Sequence, residues 1–570
     1  MIDPFQPSSY QQTIFQFVAR GVGHGVVDAV PGSGKTTTLL QTAVRLPVSS
    51  RALFVAFNAH TAAELAEKLY AMRAPMESST IHSLGKRLLG KTRVDDKKYR
   101  NLSKEYLLSR GVMNPAATDQ LKKLVDFCRL TLTEPTYECL TDLIARFDLE
   151  IDIFDGDWSH IWRGVEPVIE AGIIYGQAGT IDFTDMIYLP TALDLPCPQY
   201  DYLFVDEAQD LNAAQLALVM RCCTRGRLLF VGDPRQSIYA FSGADAHSIA
   251  TIIERTNATV LPLSICYRCP TRVVTLAAQV FPGIKAAPST GPGTIEILKK
   301  GTLSTHVQPG DLVLCRTTAP LVEQCLALLR AGIRATVRGK DLGKSFLDLL
   351  NKLRKRKGFA FEALSQLCED YRREQELILS SMVDNEMKLA TLHDKIDTFQ
   401  ALLEAYLNQA HGEGTLGGFE GYIQSFFTDD ANGYKPVMFS TVHRAKGLEY
   451  DRVFLLRPDL FPHPAAKKDW QLEQEYHLEY VALTRAKQAL YFVGELIGNL
   501  TLEDEVPGSS IPEKEVHAPV QLTLSSQTLA TLHRMQLTEA QLGSLVEMWL
   551  ATYPPFVQAT LGEKSETMCR

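Results

Sequence analysis

Three short apolar runs in the first half of the chain end the same way, in glycine or acid. They are Val26-Val27 in "VVDAVPGSGKTTTLL", Leu203-Phe204-Val205 in "DYLFVDEAQD" and Leu228 to Val231 in "LLFVGDPRQSIYAFSGAD". Runs this short, apolar at consecutive positions, predict strands buried on both faces of a parallel sheet. Ligands of such sheets bind in the crevice outside the carboxyl ends of the strands. Asp206, Glu207 and the turn Gly232-Asp233-Pro234 are therefore expected in a crevice. By itself an acid pair after an apolar run only ends a strand, so a phosphate site elsewhere must decide. Two longer stretches carry helical patterning: the polar residues 91–170, and residues 345–435, which contain the loop "HGEGTLGG". From Thr501 a Pro-, Ser- and Glu-rich linker opens the last seventy residues, expected to form a small helical appendage or partner-binding tail.

The phosphate site follows the first run. Gly32-Ser33-Gly34-Lys35-Thr36 lies between a strand and a helix-compatible segment. Glycines let successive N–H groups turn toward phosphate oxygens, and the helix N-terminus adds partial positive charge. Lys35 is placed to reach the β- and γ-phosphates and the Thr36 hydroxyl to ligate Mg²⁺. Ala29 stands where the strict phosphate-loop pattern has glycine. The acid pair then acquires roles, Asp206 holding the metal and Glu207 polarising the attacking water. After the third run, Gln236 is placed to sense the γ-phosphate, and Tyr239 and Phe241 to stack on unpaired bases. Nucleoside triphosphate hydrolysis is the chemistry these residues predict.

Composition narrows the setting. With 570 residues, 45% hydrophobic and 22% charged, the chain is long enough for three or four domains. No apolar run approaches a membrane span, and the first residues lack a signal peptide's features. Eleven cysteines without regular spacing fit free thiols in a reducing compartment, so a cytoplasmic protein is expected. Cys266 and Cys269 form "CYRC" with no second ligand pair at zinc spacing. A net charge of −8 argues against wholesale coating by nucleic acid but leaves room for a local basic groove. The basic run Lys352, Arg354, Lys355, Arg356 and Lys357 reads as a solvated helix face.

Taken together, the motifs resemble those of the UvrD/Rep-type superfamily 1 DNA helicases, in the family's order over roughly residues 7–490. "PSSYQ" resembles the adenine-reading Q motif, with Gln11 as its glutamine. "AVPGSGKTT" resembles motif I, where alanine is common at the first position. The resemblance implies ATP contacts for Ala29, Pro31, Gly32, Ser33, Gly34, Lys35, Thr36 and Thr37. "AFNAHTAAELA" and "TIHSLG" are similar to motifs Ia and Ib, implying single-strand contacts for Phe57, Asn58, Thr80 and His82. "VDEAQD" and "GDPRQSIYAFSGAD" are similar to motifs II and III, the latter with Tyr239 and Phe241 on the strand. "SICYRCP" resembles motif IV, with Tyr267 on the adenine and Arg268 as an arginine finger. "STVHRAKGLEYDRVFLL" resembles motif V, implying Thr441 and His443 on DNA and Glu449 at the ribose. "EYVALTRAKQAL" resembles motif VI, with Arg485 as the second finger.

The chain departs from the pattern in places. Phe241 and Ser242 replace the usual Trp and Arg of motif III, and Tyr476-His477 stand near a usual Arg of motif VI. Motif Ia is closest in wording to the F-box DNA helicase core, although no F-box is expected ahead of the Q motif.

The resemblance implies an α/β fold of two RecA-like P-loop lobes with parallel sheets, each carrying a mainly helical insertion. Residues 1–90 and 171–262 are assigned to the first lobe and 91–170 to its insertion. The second lobe takes 263–344 and 436–500, its short insertion 345–435, and the appendage 501–570. It also implies ATP and Mg²⁺, with single-stranded DNA and its junctions with duplex as partners. No membrane is involved, and a protein partner is expected at the tail. Location follows the DNA: cytoplasm or nucleoid, or host cytoplasm for a viral chain. Two activities stay open, a 3′→5′ translocase that separates strands and an ATP-gated protein that displaces bound proteins without unwinding.

Overall fold

The computed structural model describes residues 5–147, 149, 151, 156–238, 248–380, 385–427 and 435–502. They fall into two compact units divided at the Tyr267–Arg268 peptide.

The first unit is built on six strands: β1 (Gly25–Ala29), β2 (Ala52–Ala56), β3 (Glu77–Thr80), β4 (Tyr202–Val205), β5 (Arg227–Gly232) and β6 (Thr259–Leu263). They lie in the order β3-β2-β4-β5-β1-β6, every neighbouring pair parallel. The consecutive apolar positions are buried on both faces, as a parallel sheet covered by helices requires. Val27, Phe54, Phe204, Leu229 and Val231 pack on one side, with Ile14 and Val18 of helix α1 (Ser9–Arg20) and Leu39 of α2 (Lys35–Ala43). Val26, Leu53, Val55, Leu203 and Phe230 are equally buried.

Between β3 and β4 come α3 (Lys98–Ser109), α4 (Pro115–Thr131), α5 (Tyr137–Arg146), α6 (Trp158–Gln177) and α7 (Asp185–Ala192). The helical block thus runs past residue 170. It has its own core around Tyr99, Leu121, Leu124, Ile161 and Val165. A buried ionic cluster joins α3 and α4 to α7. Arg129 donates both terminal nitrogens to Asp182, at 2.9 Å each, and bonds Asp185 at 3.0 Å. Lys98 reaches Asp185 at 2.6 Å and Tyr99 donates to it at 2.9 Å.

The second unit has a six-stranded parallel sheet of its own: β7 (Thr294–Leu298), β8 (Leu312–Cys315), β9 (Ala335–Val337), β10 (Val437–Thr441), β11 (Tyr450–Leu456) and β12 (Ala486–Val493). Its order is β7-β12-β11-β8-β10-β9. The helices between β9 and β10, beginning with α8 (Lys340–Arg354), share one core with this sheet. Phe346, Phe399, Phe419 and Phe427 pack into the cluster that contains Val313, Phe439 and Phe454. In α8 the buried Phe346, Leu349, Leu350 and Leu353 recur at helical spacing. Its basic end is a complement to the helix dipole, with Arg356 tied to Glu374 and lying over Tyr371. Helix α9 (Asp469–Leu483) leads into β12. Among the described residues no helix is long and apolar enough to cross a membrane. The protein is α/β, with two parallel sheets and helical segments inserted in each.

Candidate nucleotide and nucleic-acid site

Strand order brings the three predicted segments to one edge. β4, β5 and β1 are consecutive neighbours, and Asp28 on β1 lies in register with Gly232 on β5. The phosphate loop, the acid pair and the loop after β5 therefore spring from the same carboxyl edge. Gly32 and Gly34 take positive φ, 66° and 78°, and Gly34 is the N-cap of α2 with no side-chain cap. The first-turn N–H groups of α2 are left for a ligand. Ser33 is fully buried and its hydroxyl has no hydrogen-bond partner among the described residues. An uncapped helix start and an orphaned hydroxyl suit a phosphate. Ala29 and Pro31 are buried beneath this loop, Thr36 is half-buried and Thr37 exposed.

The side chains around the loop form one connected set. Lys35 Nζ lies 3.7 Å from the Glu207 carboxylate. Gln209 donates to the same carboxylate oxygen at 2.6 Å, and its own oxygen accepts the Asp233 N–H at 3.0 Å. Asp233 in turn accepts from the Gln236 amide at 2.7 Å and from Arg235 Nε at 2.6 Å. Arg235 also pairs with Asp28. Burial, then the neighbouring Glu207, pushes the Asp206 carboxyl up to about 7, with Lys35 opposing. A buried carboxyl in that condition fits a divalent cation, whose charge offsets both effects.

On the other side of α2, Gln11 is engaged at both ends of its amide. The oxygen accepts the Ser8 N–H at 3.0 Å, closing a capping box, and the nitrogen donates to Thr38 Oγ1 at 2.9 Å. Tyr267 is 46% exposed, and its N–H donates to the Gly32 carbonyl at 2.9 Å. The structure thus seats both proposed adenine contacts against the phosphate loop or its helix.

The track residues of the first unit split into two kinds. Phe57 is 53% exposed. Asn58 and Thr80 cap the helices that follow them, accepting from Thr61 N and Ser83 N. A small cavity is lined by Phe57, His82 and Asp206 together, so two residues expected on the single strand abut an acid of the pair. Burial lowers the pKa of His82. Tyr239 and Phe241 lie outside the described residues.

In the second unit, Arg268 and Glu449 form a 2.6 Å ion pair without hydrogen-bond alignment. Arg485 is buried and donates to the Val481 carbonyl, Thr484 Oγ1 and the Leu448 carbonyl. Thr441 is buried with its hydroxyl unpartnered among the described residues. Burial first, then Arg316 and Arg444, push His443 down to about 3, which keeps it neutral.

Motif reading gave no role to Gln209, Arg235 and Thr38. Their side-chain bonds tie them to the site: Gln209 to Glu207 and the Asp233 N–H, Arg235 to Asp233 and Asp28, and Thr38 to Gln11. Phe183 is 57% exposed on a turn pinned at both ends, Asp185 N donating to Asp182 and Asp182 N to Asp185. A phenylalanine between two acids, Asp182 and Asp185, was the available signal.

Residues 12–242 match the family described as AAA domain, and residues 427–494 match the UvrD-like helicase C-terminal domain. The chain is 25% identical over 426 residues to the ATP-dependent DNA helicase PcrA of Staphylococcus epidermidis, covering 55% of this chain and 58% of that protein. Against PcrA of Bacillus subtilis identity is 23% over 431 residues, with the same coverage, 55% and 58%. Against F-box DNA helicase protein 1 of Schizosaccharomyces pombe it is 24% over 524 residues, covering 81% of this chain and 55% of that protein. The chain thus spans a little over half the length of these relatives. The two family matches fall one in each unit, and with these relatives they make the chain similar to the UvrD/Rep-type superfamily 1 helicases.

Proposed function

We propose that the chain is an ATP-driven motor that moves 3′→5′ along single-stranded DNA and separates strands at junctions with duplex, in DNA repair, recombination or replication. The observation that carries this reading is the connected set Lys35–Glu207–Gln209–Asp233–Gln236 on one sheet edge. In it a phosphate-binding lysine, a base and a γ-phosphate sensor share bonds. When a triphosphate occupies the loop, its oxygens replace Glu207 as partner of Lys35, and the Glu207 carboxylate is released to accept a proton from water. Gln209 keeps that carboxylate oriented. Thr36 and Asp206 would hold Mg²⁺, which would supply charge neutralisation for the transferring phosphoryl group. Gln11 and Tyr267 bracket the base of the nucleotide, and Glu449 meets its ribose. Arg268 and Arg485 stabilise the transferring phosphoryl group.

DNA stacks on the exposed Phe57 and Phe183 and on Tyr239 and Phe241, beside Asn58, Thr80, His82, Thr441 and His443. Supporting a coupling of the two processes, Phe57 and His82 line the same cavity as Asp206. Direction rests on the wording of motifs III and V. Residues 501–570 are proposed to contact a protein partner.

ATP hydrolysis measured alone, with single-stranded DNA and with single-stranded RNA tests the motor. Stimulation by DNA is expected, and no response to either polymer sinks the reading. Duplexes with a single 3′ or 5′ tail test direction. Separation from the 5′-tailed duplex alone would reverse it.

A further inference from the structure

One residue in this site has no role in the reading above. Arg235 sits in the loop after β5, nearly buried, with its guanidinium shared between two carboxylates. Its Nε donates to Asp233 Oδ1 at 2.6 Å, and its backbone N–H donates to the same oxygen at 3.2 Å. Its terminal nitrogen pairs with Asp28, the residue before Ala29, where the phosphate loop begins. Asp28 is in register with Gly232, so Arg235 bridges two adjacent strands at the point where each becomes a functional loop.

The other arm of the bridge ends on the sensor. Asp233 is fully buried, and its second oxygen accepts the Gln236 amide nitrogen at 2.7 Å. A carboxylate only accepts, so this bond forces the amide to present its NH₂ to Asp233 and fixes which way its oxygen faces. A buried carboxylate, Asp233, and a part-buried one, Asp28, around one guanidinium are stable together only while the guanidinium is present. Removing it leaves Asp233 uncompensated and the amide without a defined orientation.

We propose that Arg235 is a positioning residue: bridging Asp28 and Asp233, it couples the start of the phosphate loop to the orientation of Gln236. The inference rests on the ATPase reading. A shift of the phosphate loop on nucleotide binding is carried through Asp28 and Arg235 to the sensor amide, without Arg235 touching the nucleotide.

The test compares Arg235→Met, Gln236→Ala and the double variant with wild type, each full length. DNA-stimulated kcat, affinity for a fluorescent non-hydrolysable ATP analogue and melting temperature are read on each preparation. Arg235→Met is expected to lower kcat by roughly 10- to 100-fold, the scale of a misplaced reacting group, with analogue affinity retained. The double variant should be no slower than Gln236→Ala, because residues acting through one another are not additive. Asp28→Asn, which keeps an acceptor oxygen but not the charge, should fall between wild type and Arg235→Met. Multiplying losses in the double variant overturn the proposal, as does a loss of affinity and melting temperature in step with kcat. Those outcomes leave the motor intact, whereas a wild type without ATPase overturns both.

Discussion

Glu207 adopts φ 51°, ψ 44°, a left-handed backbone that side-chain-bearing residues seldom take. Such a conformation costs on the order of 1–3 kcal/mol and persists where surrounding bonds over-determine it. Here Gln209 and Lys35 supply them, and the acid is held at the sheet edge instead of along the strand. Gly232 serves the same arrangement. A Cβ there would meet Gln209 Oε1 at 2.4 Å, so glycine is what lets Gln209 bridge Glu207 and Asp233. Glu207→Gln keeps size and hydrogen bonding but loses the base, and turnover should fall by about 10²-fold or more with nucleotide binding kept. Lys35→Ala should weaken nucleotide binding as well. Phosphate release beside analogue titration separates the two, and near-normal turnover in Glu207→Gln would remove the base assignment.

At the scale of elements, α9 shows how a functional segment is built around buried acids. Glu475 takes a bidentate Arg316, at 2.6 and 2.9 Å, and accepts the His463 N–H at 3.0 Å. One turn on, Glu479 has no cation beside it among the described residues. There it accepts from Asn499 Nδ2, at 3.2 and 3.3 Å, and burial pushes its carboxyl up to about 8. A carboxyl raised from its unfolded value of about 4.5 binds its proton more tightly in the native state. Its contribution is complete below pH ~4.5 and is lost as pH rises toward ~8, at up to ~1.4 kcal/mol per unit. Glu479→Gln, neutral throughout, should remove this slope and make the variant the more stable protein at pH 9. Urea midpoints at pH 5, 7 and 9 decide it. Parallel curves for the two proteins would mean that Glu479 is ionised at low pH in the fold.

For the molecule as a whole, the question is whether ATP turnover depends on the second unit. Arg485 is the informative residue, because it lies 450 positions along the chain from Lys35. Within its unit it is held by two backbone carbonyls and a hydroxyl, none of them charged. An arginine that stabilises a transferring phosphoryl group is worth about 10³-fold or more in turnover. Arg485→Ala should therefore lose most DNA-stimulated hydrolysis while binding the nucleotide analogue. Normal hydrolysis would make Arg485 a buried structural arginine. Melting curves on the same protein guard against the third case, a unit that no longer folds.

The sequence by itself determined what depends on neighbours along the chain. Consecutive apolar residues closed by glycine or acid determined the strands at Val26, Leu203 and Leu228, and a strand, a glycine turn and a helix in succession determined the phosphate loop. The α/β class followed from the resemblance that these motifs carry. Tertiary structure decided which of these ends meet, because strand order is set by how helices cover the sheet and is not written in any local period. Only the order β4-β5-β1 puts Asp206, Asp233 and the phosphate loop side by side. Only that proximity lets Gln209 and Arg235 bind partners 24 and 207 positions away. Burial was decided at the same level. Asn58 and Thr80 read as contacts with DNA, and the fold uses their side chains as helix caps. Residues 345–435 read as a short helical insertion of the second lobe, and what the sequence did not specify is that their aromatic residues complete the core of the second sheet. An apolar face in a sequence specifies that it must be covered, and only the folded chain specifies by what.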